Sequence, residues 1–158
     1  MGSIKELTID NGTLWKRILE SGEDRAKTSS CVRKGVCASI YHITSQKILF
    51  TCINGSIPFE DKDSLLCTGE IGNCGCVHAE MIASSWLLSN PRIDNVVLVC
   101  SFSPCKTCAN MILISDRILS VVYLHETENY KDGKDILRRN SVPCLSIDEC
   151  DFHDQSTN

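Results

Sequence analysis

Absences narrow the field first. No apolar run reaches the roughly 18 residues that a membrane-spanning helix needs, so no transmembrane segment is expected. The opening stretch, Met1 to Gly12, carries Glu6 and Asp10 and has no apolar core, which is unlike a secretory leader. Gly2 is placed for myristoylation, but Glu6 stands where that signal needs Ser or Thr. Cytoplasmic residence is the resulting expectation. Dense basic stretches are missing too, and the net charge is -4 with a pI near 5.5. A protein that grips a nucleic-acid backbone shows a basic face, so neither nucleic acid nor membrane is expected as a partner. A small anionic ligand needs only one or two local cations and stays allowed. Repeats, low-complexity tracts and linkers are absent, and 158 residues make one domain, 1–158. A chain of this size buries about two thirds of its unfolded surface and folds without disulfides.

What the chain has in excess is cysteine. Eleven is a high and odd count, and without a secretory signal it points to metal ligands and buried thiols. Around them the apolar pattern predicts an N-terminal helix over 14–27, capped by Thr13, with Leu14, Trp15, Ile18 and Leu19 as its core stripe. Runs at 36–44 and 47–53 read as a hairpin closed by Asn54-Gly55. A polar stretch, 56–73, precedes a helix over 78–90 that stops before Pro91. Then come a strand at 95–102, a helix at 103–116 with Pro104 in its first turn, a strand at 118–125, a helix at 134–140, a strand at 142–147 and a short polar tail. This β-α-β-α-β order favours parallel pairing. The expected class is α/β: a hairpin feeding a mixed five-stranded sheet between helical layers, three layers in all.

Two segments carry chemistry, His78-Ala79-Glu80 and Pro104-Cys105-Lys106-Thr107-Cys108. His78, Cys105 and Cys108 make a three-ligand zinc set of the kind that leaves a fourth position open. Cys105 and Cys108 share a face at a helix start, where the dipole favours thiolates. His78 and Glu80 are two apart, so they serve one site only at a frayed first turn, where both bend over the helix end. Glu80 is then not a ligand but the group that takes a proton from water and hands it onward. Alone, Cys-x-x-Cys is as well explained by buried thiols or a structural zinc knuckle, and His-x-Glu by a cap or a surface pair. Together, each opening a helix, with Ser101 to Cys105 leaving a strand into the second, they favour the catalytic set.

His-x-Glu followed by Pro-Cys-x-x-Cys is the signature of zinc nucleobase deaminases. The chain resembles the cytidine/deoxycytidylate deaminase superfamily, and within it the dCMP deaminase branch, over a core of about 30–147. Val36-Cys37-Ala38, Asn54-Gly55, His78-Ala79-Glu80, Pro104 to Ala109 and Val121-Val122-Tyr123 follow in the family's order, and the tail from Tyr130 to Cys144 looks like the family's ending. The resemblance implies a cytidine-deaminase-like fold and zinc-dependent hydrolysis of dCMP to dUMP and ammonia, which feeds dTMP synthesis. Glu80 would protonate N3, Asn54 would bond the sugar, the Ala79 N–H would hold the pyrimidine carbonyl and the Ser103 carbonyl would meet the leaving amine. Ile82 departs from the Asn that the family often has after His-Ala-Glu-x, which bears on specificity. His78, where free-cytidine deaminases usually have Cys, points away from that branch, and residues 106–110 do not match the transfer-RNA editing enzymes. Arg33, Lys34, Lys131 and Arg138 are the candidates for phosphate recognition, each with the plain alternative of a solvated surface charge. The resemblance further implies a homo-oligomer, often a hexamer, with dCTP and dTTP as effectors. Deamination of another small substrate (a nucleoside, dCTP, 5-substituted dCMP or a purine) and a nonenzymatic zinc-containing nucleotide-binding module are the alternatives.

The other cysteines divide in two. Cys37, Cys52, Cys100 and Cys144 lie in apolar strands and are expected in the core, and Cys150, near the polar tail, has no assigned role. Cys31, Cys67, Cys74 and Cys76 lie in loops or at element ends, and four is the count of a closed structural zinc site. Some dCMP deaminases hold a structural zinc in this region. Unliganded thiols or a reversible disulfide are the competing assignments, favoured by the tight Cys-x-Cys spacing.

Overall fold

The most apolar run in the chain, Val96–Phe102, becomes the middle strand of the sheet, as a strand covered on both faces must. A computed structural model describes residues 2–55, 67–70, 74–127 and 131–153. In chain order the elements are α1 (Ile4–Asp10), α2 (Gly12–Ala26), β1 (Cys37–His42), β2 (Lys47–Ile53), α3 (Ala79–Leu88), β3 (Val96–Phe102), α4 (Lys106–Ser115), β4 (Ile118–His125), α5 (Lys131–Arg139) and β5 (Cys144–Ser146), followed by a 3-10 turn, Ile147–Glu149. The sheet order is β2-β1-β3-β4-β5. β1 pairs antiparallel with β2 and β3, while β3, β4 and β5 run parallel. The expected α/β class and mixed five-stranded sheet are thus present.

Side chains alternate along each strand, and the alternation builds two cores. Val96, Leu98 and Cys100 of β3 point to the layer of α3, α4 and α5 with Ile118, Val121 and Tyr123 of β4. Val97, Val99 and Val122 point the other way, onto Trp15, Ile18 and Leu19 of α2. Trp15 is fully buried, meets Tyr41 edge-on at 5.2 Å, and donates its indole N–H to the Thr8 carbonyl at 2.7 Å. Cys37, Cys100 and Cys144 are buried as expected, and Cys52 is partly so. Cys150, to which the sequence assigns no role, is buried in the α2-side core, because the chain after β5 folds back over that layer.

The N-terminus is a correction. There are two helices, and Thr13 lies inside α2, where its hydroxyl donates to the His153 carbonyl at 3.1 Å instead of capping. The cap that the sequence does carry is Ser3: its hydroxyl accepts from the Glu6 N–H at 3.2 Å and Glu6 accepts from the Ser3 N–H at 2.6 Å, a reciprocal box that opens α1. α5 begins at Lys131, earlier than the apolar pattern indicated, and its Gly133 lies against the loop after β3. A Cβ there would overlap the Pro104 carbonyl oxygen, so glycine permits the close approach of α5 to that loop.

Candidate active site

Parallel strands end on one side of a sheet, and the crevice beyond their carboxyl ends is where α/β proteins build sites. Here β3 runs out into Ser103-Pro104-Cys105 and β4 into Glu126-Thr127. Cys105 is the N-cap of α4, in extended conformation, and its sulfur accepts the Cys108 N–H at 3.5 Å. His78 is the N-cap of α3, also extended, so it hangs over the helix end while Glu80 sits in the first turn. This is the frayed start that one site for both residues requires. The His78 position is fixed by Val77, which pairs with Gly55 through hydrogen bonds of 2.9 and 3.2 Å at the end of β2.

The two helix starts converge. His78 Nδ1 lies 3.3 Å from Cys108 Sγ and 3.6 Å from Cys105 Sγ. A tetrahedral zinc with sulfur at about 2.3 Å and imidazole nitrogen at about 2.1 Å separates such donors by about 3.5 Å, so the three residues fit that ion. A Glu80 carboxylate oxygen lies 3.8 Å from Cys108 Sγ. Burial pushes Glu80 up to about 7, into the range where a carboxyl both takes and gives a proton near neutrality. A hydrogen bond from Cys108 brings Cys105 down to about 4, and the same bond holds the Cys108 proton, raising that thiol. The pair therefore offers one ready thiolate, and its bond to Cys105 raises His78.

The cavity beside this cluster is lined by Cys31, Arg33, Lys34, Val36, Asn54, Cys74, Cys76, His78, Glu80, Phe102, Ser103, Cys105 and Thr127. Most of the candidate residues are brought together there. Ala79 is fully buried at the start of α3, where its N–H has no partner within the helix. The Asn54 amide is largely committed: its oxygen accepts from the Val36 N–H and the Ser29 hydroxyl, each at 2.8 Å, and its nitrogen donates to the Lys34 carbonyl at 2.8 Å. At most one N–H is left for a sugar hydroxyl. Among the phosphate candidates, Arg33 and Lys34 line the cavity, with the Lys34 ammonium 3.1 Å above the Phe102 ring centroid. Arg138 does not: it donates to the Cys144 carbonyl at 2.8 and 3.2 Å and faces Glu149 at 3.7 Å, beside the β5 edge. Lys131 opens α5, but its side chain lies outside the described residues, as does most of the 56–73 stretch.

Cys31, Cys67, Cys74 and Cys76 form a second cluster whose sulfurs all lie within 4.8 Å of one another. Cys31 Sγ is 3.8 Å from that of Cys67 and 4.0 Å from that of Cys74, near the roughly 3.8 Å edge of a tetrathiolate zinc site. The tight Cys-x-Cys spacing is reconciled by Gly75, whose φ of +79° turns the chain so that both thiols face inward. Phe102 and Thr127 went unassigned from the sequence. Phe102 sits in the Ser101 to Cys105 segment that leads into α4, and the signal for Thr127 is its place after β4, parallel to β3 and hence beside Ser103.

The family model of the cytidine and deoxycytidylate deaminase zinc-binding region matches residues 16–125. Two solved structures of dCMP deaminase from the cyanophage S-TIM5 are similar to this chain at 26% identity. The one in complex with dCMP and dUMP gives a TM-score of 0.70 over 85% of this chain and 96% of that one, and the apo form gives 0.67 over 85% and 97%. The Rib2 deaminase of Aspergillus oryzae, in complex with DARIPP, is 14% identical with a TM-score of 0.52 over 84% and 82%, a likeness of fold. No curated protein sequence matches the chain. With the family region spanning both helix starts and the strands that carry them, the chain belongs to the cytidine and deoxycytidylate deaminase family.

Proposed function

We propose that the protein converts dCMP to dUMP with release of ammonia, a reaction that feeds dTMP synthesis. The observation that carries this reading is a buried carboxyl, Glu80, 3.8 Å from one sulfur of a three-donor cluster that fits zinc with one position to spare. A purely structural metal has no use for such a carboxyl. His78, Cys105 and Cys108 would hold the zinc, which when bound supplies a nucleophile at neutral pH by lowering the pKa of water. Glu80 takes the proton released there and delivers it to N3, which keeps it in the product, and then carries a second proton, from the new C4 hydroxyl, to the departing amine. The Ala79 N–H holds the pyrimidine 2-carbonyl and the Ser103 carbonyl accepts from the 4-amino group. Asn54 offers its remaining N–H to the sugar.

A nucleotide, not a nucleoside, is favoured by the cations in the wall. Burial, then the adjacent Arg33, pulls the Lys34 pKa down, and a bound anion would offset both. The cyanophage protein's complex with dCMP and dUMP supports the same substrate. Cys31, Cys67, Cys74 and Cys76 are proposed to hold a second, structural zinc that fixes the segment leading into His78. Cytoplasmic residence and a homo-oligomer, a hexamer in the first instance, are part of the same proposal, with dCTP and dTTP as effectors; the exposed Leu88 on α3 and Ile114 on α4 are apolar surface that a neighbouring copy would cover. Among the described residues, no helix is long and apolar enough to cross a membrane.

Ammonia release from cytidine, deoxycytidine, dCMP, dCTP and 5-substituted dCMP, with and without dCTP and dTTP, tests the reading. The highest kcat/KM is expected for dCMP, about 100-fold above deoxycytidine from one charge-assisted phosphate contact. Equal rates on the nucleoside would show that the phosphate is not read. Release from dCTP or 5-substituted dCMP alone would replace the substrate.

A further inference from the structure

The two strands that deliver the site do not separate where their ladder ends. Phe102 pairs with His125, and one residue further the Ser103 N–H donates to the His125 carbonyl at 2.9 Å. The chain after β4 then turns back on Ser103. The Thr127 N–H donates to the Ser103 hydroxyl oxygen at 2.9 Å, and the Thr127 hydroxyl donates to the Ser103 carbonyl at 3.4 Å. Thr127 is itself anchored through its neighbour: the Glu126 carboxylate accepts from the Tyr123 hydroxyl at 3.0 Å and pairs with Lys134 of α5. Ser103 and Thr127 both face the cavity that holds His78 and Glu80.

This arrangement fixes what Thr127 offers to that wall. A hydroxyl has one proton and two lone pairs, and the Thr127 proton is spent on the Ser103 carbonyl. What remains toward the cavity from these two groups is a carbonyl oxygen with a second lone pair and a Thr127 hydroxyl oxygen with its own, two acceptors side by side, while the Ser103 hydroxyl, which takes the Thr127 N–H, keeps its one proton. A 4-aminopyrimidine presents two N–H donors to such a wall. A 4-oxopyrimidine presents only an acceptor, which leaves lone pairs facing lone pairs in a desolvated crevice.

We infer that Thr127 is a positioning and selectivity residue of the deaminase site: by committing its proton to the Ser103 carbonyl it sets a second acceptor beside that carbonyl, so that the amino substrate is held in preference to the oxo product. The inference rests on the proposal that the Ser103 carbonyl meets the 4-amino group of a cytosine nucleotide. Its chemistry is one of recognition, since Thr127 makes and breaks no covalent bond. As the C4–N bond breaks, ammonia leaves with the proton delivered by Glu80, its remaining N–H groups still facing two acceptors.

The test uses the full-length, zinc-loaded protein with Thr127→Val, which removes the hydroxyl at nearly constant shape, and Thr127→Ser, which keeps it. Thr127→Ala serves in place of Val if the latter does not fold. Equilibrium binding of dCMP and of dUMP is measured in a Glu80→Gln background that does not turn over, and dUMP product inhibition is measured with Glu80 intact, alongside zinc content and thermal unfolding. Thr127→Val is expected to shrink the preference for dCMP over dUMP by about tenfold, the scale of one hydrogen bond, with stronger product inhibition and unchanged zinc. Thr127→Ser is expected to restore the preference. An unchanged preference in Thr127→Val overturns the inference, as does an equal weakening of both ligands with a lowered melting temperature, which would make Thr127 a structural strap. A protein that with Thr127 intact neither binds dCMP nor releases ammonia from it would instead refute the substrate reading.

Discussion

Glu80 is the side chain on which the site turns, because a carboxyl is of use beside a metal only if it moves protons or binds the ion. Its burial at 4% exposure and its pKa raised to about 7 fit the first use, and its position just inside the first turn of α3 keeps it out of the donor set. Lys34, which lines the same cavity, is its proposed counterpart at the phosphate end of the substrate. Replacing Lys34 by Met should raise the KM for dCMP by about 10- to 100-fold, the range of a lost charge-assisted contact, while turnover of deoxycytidine stays within about twofold. An equal loss on both substrates in steady-state kinetics would reduce Lys34 to a packing residue on Phe102. The ligand residues and Glu80 were legible in the sequence because metal chemistry demands particular donors at particular spacings. Which cations face the cavity was not, because Arg33, Lys34 and Arg138 look alike as charges, and only the fold sends Arg138 to the Cys144 carbonyl. Thr127 was invisible for a similar reason, since its partner Ser103 lies 24 positions away and meets it only through parallel pairing.

At the scale of elements, the site depends on where two helices begin, and those starts depend on how the helices end. Arg117 donates to the carbonyls of Leu87, Asn90 and Ile93 at 2.6, 2.8 and 2.9 Å, closing the C-terminal end of α3 and the loop beyond it. Arg117→Met should lower unfolding free energy by about 2–4 kcal/mol, leaving zinc content unchanged. A loss under about 0.5 kcal/mol in denaturant titration, the level of an ordinary surface change, would show that water replaces the guanidinium there without penalty. α5 is tied to β4 through Lys134, Glu126 and Tyr123, and the Lys134 partner holds Glu126 below its ordinary 4.5. Because the folded pKa is the lower one, this contribution is full above about pH 4.5 and is lost as pH falls through the folded value. Thermal melts of the protein and of Glu126→Gln should therefore differ near neutrality and converge in acid. A gap that stayed constant with pH would place the pair's contribution elsewhere. The strands and crossovers from β3 to β5 were readable because fully apolar strands and helical spacing leave little choice. α1 was not read from the sequence, since at seven residues its stability comes from its Ser3 cap and the buried contact of Thr8 with Ser120 at 2.8 Å, neither of which periodicity reveals.

At the scale of the whole molecule, the sheet serves as the frame that brings two distant cysteine groups to one cavity. Cys31, Cys74 and Cys76 share its wall with His78 and Glu80, so the four-thiol cluster and the catalytic cluster are neighbours. Two zincs per chain are expected by elemental analysis, falling to one when Cys74 and Cys76 are both changed to Ser. One zinc before any substitution would return those thiols to being unliganded or redox partners. The central claim is that Glu80 moves the protons of a deamination carried out at His78, Cys105 and Cys108. It is tested most directly by ammonia release from dCMP with zinc-loaded Glu80→Gln beside the Glu80 protein. The expected result is zinc retained at full stoichiometry and a rate reduced by at least about 100-fold, the scale of general acid–base catalysis. Zinc retained with turnover intact would contradict it.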